Sequence, residues 1–461
     1  MSLDRGQLSV QFLISRVRAS VKQAQLQLFP GDHPGPQKWL KLVLGVLDSA
    51  QLHLDASGNN SASGDLRRLE LEYAARAVTE AYSLLREMDG ADAAALPFPL
   101  IAPLQRWFDR LQLPNTTFFR ALLDSNYELR TWQKTLFSRY RAPAPSLTTA
   151  ISEIEWPILR VTVPAKAFTL IPHLAIVAHE IGHALVGKIV FANDPLLAER
   201  PGFEARVRAR LSGAALDAKA KEAWKRILSS WYQEFAADAF MQVLTGPAGF
   251  FALADLTQIL DGGAGGYSHT HPASFQRRAI LHQRLEIETG GISFRSVFLQ
   301  RTGVDLVADI NGPLISTPAG PDDIFLNAQR QGLPVEAAAV MAELYQLMPT
   351  LANAVHSSAH QVVTALSPDL VYTPEKLNRD LNAHLGPLLE AIPPIEEGDD
   401  LDAMQPMELA TILNVGWALM LTKLDQLKVR ADDQADRLEK LHGLLLKAIE
   451  LSEARRAWMA A

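Results

Sequence analysis

One short stretch constrains this chain more than any other. Ala178-His179-Glu180-Ile181-Gly182-His183-Ala184 reads H-E-x-x-H inside an apolar run over residues 170–190. Positions four apart share one face of a helix. His179 and His183 therefore offer two imidazoles to a single zinc ion, and Glu180 stands next to them to take a proton from a water that the metal activates. Three polar groups on a helix that merely happens to be buried are the competing reading. It is the weaker one, because an apolar helix seldom buries ionisable groups unless they are paired or bound to metal.

Composition narrows the metal chemistry. The 461 residues include no cysteine. Disulfides and thiolate ligands are excluded, so a zinc ion must use imidazole and carboxylate. A cysteine-free chain also fits a reducing cytoplasm, which is the expected location. The formal net charge of −7 has no dominant block, which argues against nucleic acid and anionic membrane surfaces as partners. No stretch reaches the ~18 uninterrupted apolar residues of a membrane span. The nearest, over residues 168–190, is broken by Pro172, His173, His179, Glu180 and His183. Residues 1–20 carry Asp4, Arg5, Arg16 and Arg18 and do not read as a secretory signal. No integral membrane insertion is expected.

A second stretch, Trp231-Tyr232-Gln233-Glu234-Phe235-Ala236-Ala237-Asp238-Ala239-Phe240, sets two carboxylates four apart on an otherwise apolar helix. One of them can be the third metal ligand. The other can accept the free ring N–H of a ligating histidine and fix its orientation. Surface acids are the alternative, but the flanking Phe and Ala residues leave little exposed face.

A third stretch begins with Asp261-Gly262-Gly263-Ala264-Gly265-Gly266, which reads as a mobile loop. Tyr267-Ser268-His269-Thr270-His271-Pro272 follows, then Arg277. Pro272 is predicted to open a helix, with His271 at its entry and Arg277 along it. A flexible run beside a His/Tyr/Arg cluster looks like the rim of an active site whose loop opens and closes. A phosphate-cradling loop is disfavoured, since no Lys-Ser/Thr follows.

Taken together, H-E-x-x-H with a downstream glutamate resembles the gluzincin zinc peptidases. Glu234-x-x-x-Asp238 is similar both to thermolysin and to the HtpX-like and prenyl-protein zinc endopeptidases. His271-Pro272 followed by Arg277 looks like the latter group, and the order of the three motifs agrees over about residues 155–290. The resemblance implies His179, His183 and Glu234 as zinc ligands and Glu180 as general base. It implies Asp238 as the carboxylate behind a ligand, and His271 and Arg277 as groups near the substrate and transition state. For the oxyanion, His271 is the first candidate, with Tyr267 and His269 as further ones. Arg277 has a second possible role, holding a carboxylate behind the ligands. Those relatives usually carry membrane spans, and this sequence has none.

The expected fold is mainly α: a gluzincin-type core with a small β element over residues 143–292, flanked by helical domains at 1–142 and 293–461. Helices are expected at 3–29, 39–54, 66–88, 98–111 and 115–140. Trp107, Phe108, Phe118, Phe119, Trp132 and Phe137 read as core. Residues 158–163, bracketed by Pro157 and Pro164, alternate like a short strand. It belongs either to a structural hairpin or to an edge on which an extended substrate pairs. His356 and His360 are four apart without an adjacent glutamate and read as polar-face histidines. Residues 311–323, with three prolines, read as a linker. Helices over residues 406–427 and 429–459 are expected to pair or to dock on a partner.

The function expected from these features is that of a soluble zinc metalloendopeptidase acting on peptide or protein. Its helical flanks would gate access, recruit substrate, or bind a regulatory partner or a second copy. A helical interaction protein with a structural zinc is the alternative, and a metal-dependent amidase a third option. The presence of Glu180 favours chemistry, because a structural site needs ligands but no base.

Overall fold

Apolar residues at three- and four-residue spacing make helices the dominant element. The computed structural model describes residues 5–29, 34–58, 63–123, 126–140, 143–165, 170–189, 195–211, 218–261, 268, 270–306, 320–397 and 405–460. Among them are sixteen α-helices and five short strands. The chain divides into two compact units, Met1–Lys166 and Ala167–Ala461. The boundary expected at 142/143 falls inside the first, and that at 292/293 inside the second.

In the first unit, α1 (Arg5–Gln25), α2 (Gly35–Ser57) and α3 (Gly64–Arg86) pack as a bundle, followed by α4 (Phe98–Arg110). Trp39 of α2 is fully buried, and its ring nitrogen donates to the Leu84 carbonyl at 2.8 Å. All six aromatic residues expected in the core are buried. The helix expected over residues 115–140 does not form. In its place stand β1 (Phe118–Leu122), β2 (Glu128–Trp132) and a 3-10 turn at Lys134–Arg139. The strands are fixed by a partner farther along the chain. After α5 (Pro145–Ser152) comes β3 (Ile158–Pro164), which is parallel to β1 on one side and antiparallel to β2 on the other. Both sides of β3 are therefore hydrogen-bonded, and it offers no free edge to an extended substrate. Of the two sequence readings, the structural one holds. Arg160 at its centre is fully buried and ion-paired with Glu87 and Glu128. Burial lowers its pKa to about 10.

The second unit contains α6 (Ala175–Leu185), α7 (Pro195–Arg210), α8 (Ala218–Thr245), α9 (Pro247–Asp261), α10 (Ser274–Leu285) and α11 (Phe294–Thr302). It continues with α12 (Pro321–Arg330), α13 (Val335–Leu366), α14 (Pro374–Leu389), a small β4–β5 pair (Glu396–Glu397, Gln405–Pro406), α15 (Leu409–Thr422) and α16 (Gln434–Ala460). α8 is the axis, packed against α6, α9, α10 and α13. It ends at Gly246, whose φ of +57° suits glycine better than any residue with a Cβ. Asn414 of α15 seals the break: it accepts from the Ala248 N–H at 3.0 Å and donates to the Thr245 carbonyl at 2.8 Å.

α6 is shorter than the apolar run that contains it. A 3-10 turn, Ile171–Leu174, precedes it, and a second, Val186–Lys188, follows. The first turn is anchored from two sides. His173 contacts Asp255 at 2.7 Å, and the Trp417 ring nitrogen donates to the Pro172 carbonyl at 3.2 Å. α15 and α16 pack together, one of the two alternatives left by the sequence. Of the expected linker, residues 311–319 lie outside the described residues, and residues 321–323 begin α12 rather than extending the loop. No described helix is long and apolar enough to cross a membrane.

Candidate metal centre

The packing of α6 on α8 brings the first two motifs together. Ligand atoms of His179, His183 and Glu234 all lie within 4.8 Å of one another. His179 Nε2 is 3.6 Å from Glu234 Oε2, and His183 Nε2 is 3.5 Å from Glu234 Oε1. These separations are too long for good hydrogen bonds, which close at about 2.7–3.2 Å. They suit donors around one ion: tetrahedral zinc with bonds of about 2.0–2.1 Å sets its ligand atoms roughly 3.3–3.4 Å apart. Glu234 is buried, and its Oε2 makes no hydrogen bond. A cation between this oxygen and the imidazoles would take up its free acceptor capacity beside the charge of Arg277. The residues present therefore fit a zinc ion.

The close approach of the two helices depends on Gly182. A Cβ at that position would stand 2.6 Å from Ala237 Cα and 2.8 Å from its carbonyl oxygen. Only a residue without a side chain lets α8 come near enough for Glu234 to meet the histidines.

Behind the ligands, Asp238 Oδ1 is 2.9 Å from His179 Nδ1. Asp238 is in turn gripped by Arg277, whose Nε donates to Oδ2 at 2.8 Å and Nη2 to Oδ1 at 2.6 Å. Arg277 Nη1 also lies 3.3 Å from Glu234 Oε2. The guanidinium is buried and engaged with these carboxylates, so of its two sequence roles the geometry favours holding the groups behind the ligands. Burial lowers the Arg277 pKa, but Asp238, Glu234 and Glu180 raise it further, and it stays above the ordinary arginine value. Burial raises the carboxyl pKa values of Glu234 and Asp238, yet Arg277 and His179 outweigh it and hold both below the usual range. The two imidazoles differ. Burial lowers the His179 pKa, but contacts with Asp238 and Glu234 carry it up to about 9. Burial, followed by the neighbouring His179, brings His183 down to about 4.

Asp238→Asn tests this support. The change is nearly isosteric but weakens the hold on His179 Nδ1 and on Arg277. Metal affinity is expected to fall about 10–100-fold, as is usual when a partner of a ligating histidine is removed. Competition with a zinc chelator measures it.

His271 stands at the open side. Its side chain is 60% exposed, with Nε2 3.5 Å from Glu234 Oε1. Two contacts hold it: Ser268 Oγ accepts from the His271 N–H at 2.8 Å, and Thr270 Oγ1 is 2.9 Å from Nδ1. Trp231 of α8 holds Ser268 by donating to its carbonyl at 3.2 Å. α10 starts at Ser274, two residues later than Pro272, with the Ala273 N–H bonded to the Gln276 side chain at 3.0 Å. Tyr267, His269 and the glycines at 262–266 lie outside the described residues.

No protein-family model, curated protein or solved structure matches this chain. The reading of the centre therefore rests on its own chemistry. Sequence reasoning named the candidate metal cluster and Asp238 but missed Gly182, Trp231, Ser268 and Thr270. Gly182 was visible as the one residue without a side chain between the two histidines. Trp231, Ser268 and Thr270 carried no signal, because their roles depend on fold-dependent contacts.

Proposed function

We propose that this chain is a zinc-dependent metalloendopeptidase of gluzincin type. One observation carries the reading. Three ligands converge from two helices, and a buried acid that is not among them, Glu180, follows the first histidine. A structural site has no use for that acid. Among the described residues His271 reaches Glu234 but does not join the set of three, and three protein ligands are the number that catalytic zinc sites use.

When bound, zinc supplies a Lewis acid that polarises the scissile carbonyl and lowers the pKa of water towards ~7. His179, His183 and Glu234 would hold it. Glu180 takes the proton of the attacking water and delivers it to the leaving amine. Asp238 and Arg277 keep His179 oriented. His271, whose Nδ1 lies 2.9 Å from the Thr270 hydroxyl, would donate from Nε2 to the carbonyl oxygen as negative charge develops. The substrate is a peptide or protein, and the helical segments outside the centre would recruit or regulate. A cysteine-free chain suits the cytoplasm.

The test is digestion of a peptide library by the full chain, with and without a chelator, alongside elemental analysis. The expected result is about one zinc per chain, with cleavage that chelation stops and zinc restores. Stoichiometric zinc without cleavage would favour the structural reading, and absence of zinc would end both.

A further inference from the structure

Farther along the helices that carry the metal centre, a partly open cavity of about 100 Å³ is lined by residues with no role in that centre. Gln242 of α8 is eight residues beyond Glu234, about 12 Å along the helix. Arg284 of α10 is seven residues beyond Arg277. His356 and His360 of α13, together with Phe294 and Tyr372, complete the polar and aromatic lining. The two histidines read as a polar face line this cavity, His356 partly exposed and His360 exposed.

Three features define what would fill it. Gln242 is 97% buried; its Nε2 donates to the Leu281 carbonyl at 2.9 Å, but its Oε1 has no hydrogen-bond partner among the described residues. An acceptor left unpaired in this way calls for a donor from outside. Arg284 is half-buried, and its Nη2 donates to the Asn353 carbonyl at 3.1 Å. No carboxylate among the described residues forms an ion pair with it. Burial lowers its pKa, and burial, then Arg284 and His360, brings His356 down to about 3, so His356 is neutral. Among the described lining residues Arg284 is the one arginine or lysine, which matches a single negative charge better than a doubly charged phosphate. The apolar wall is preorganised. Phe294 and Tyr372 lie nearly parallel, with centroids 6.3 Å apart, and Tyr372 is pinned at both ends, by its hydroxyl to Asp380 at 2.8 Å and its N–H to the Val243 carbonyl at 2.8 Å.

The geometry points to a second ligand site: this cavity binds a small aromatic carboxylate bearing a hydrogen-bond donor. Arg284 meets the carboxylate, Gln242 Oε1 accepts from the donor, and the Phe294–Tyr372 wall takes the ring. The site goes beyond the peptidase reading and does not rest on it.

Calorimetric titration of the full chain tests it, with N-acetylphenylalanine, its neutral amide and inorganic phosphate as probes. The acid is expected to bind at one saturable site and the amide at least about tenfold more weakly, as loss of a charge-assisted contact implies. Arg284→Gln is expected to weaken the acid by a similar factor and leave the amide unchanged. Ile287→Glu, an exposed lining position, sets a carboxylate beside the cavity without disturbing the core, and is expected to weaken the acid likewise. It decides the matter if Arg284→Gln fails to fold. The proposal is overturned if no probe saturates, if acid and amide bind alike, if phosphate competes as well as the acid, or if the folded variants bind as the wild type does.

Discussion

Glu180→Gln is expected to keep one zinc per chain while peptide turnover falls by about 10²–10⁴-fold, the usual worth of a positioned general base. Glutamine preserves the shape and most of the hydrogen bonding of the side chain but cannot take up a proton. Glu180 is buried on the helix that carries both histidines, and its charge helps to raise the Arg277 pKa, so it stands within electrostatic reach of the group behind the ligands. The variant separates the two readings of the centre. A site that only stabilises the fold loses nothing when an acid outside the ligand set is neutralised. Elemental analysis and mass spectrometry of a digested peptide pool read the two quantities independently. Turnover at the wild-type rate would mean that another group is the base. Loss of zinc would mean that Glu180 supports the ligands rather than the reaction.

The centre was legible because its residues are local in sequence. His179 and His183 are four apart, as are Glu234 and Asp238, and helical periodicity alone puts each pair on one face. Which carboxylate would serve as ligand was not legible from spacing, and the contacts favour Glu234: it meets both imidazoles, Asp238 only the far nitrogen of His179. The mistaken helix over residues 115–140 shows the opposite case. Phe118, Phe119, Leu122 and Leu129 can be placed on a helical stripe, and five-residue strands carry too little alternation to compete with it. What makes them strands is β3, about forty residues beyond β1, and no local pattern contains that pairing. The cavity lined by Gln242, Arg284 and His356 was hidden for the same reason. Its lining comes from separate segments, and the His356/His360 spacing by itself describes an ordinary helix face.

Gly182→Val is expected to reduce both metal affinity and turnover by about a hundredfold or more, the scale on which a misplacement of about 1 Å acts at a reacting centre. The ligands come from two helices, and nothing covalent holds those helices in register at this point. Their separation is set by Gly182 against the Ala237 backbone, where a Cβ would meet main-chain atoms at 2.6–3.1 Å. Backbone cannot rotate away as a side-chain tip does, so α8 must retreat or tilt. Glu234 and Asp238 lie on either side of Ala237 and would move with it, opening the contacts to His179 and His183. Overpacking of this kind also costs about 1–3 kcal/mol of stability, so the melting temperature is measured beside zinc affinity. Gly187→Ala supplies the control: five residues farther along, a Cβ there meets nothing within 4 Å. That variant is expected to bind zinc and unfold as the wild type does. If Gly182→Val held zinc as tightly as Gly187→Ala, the two helices would not be what sets the ligand geometry, and the triad would have to be assembled by some other part of the unit.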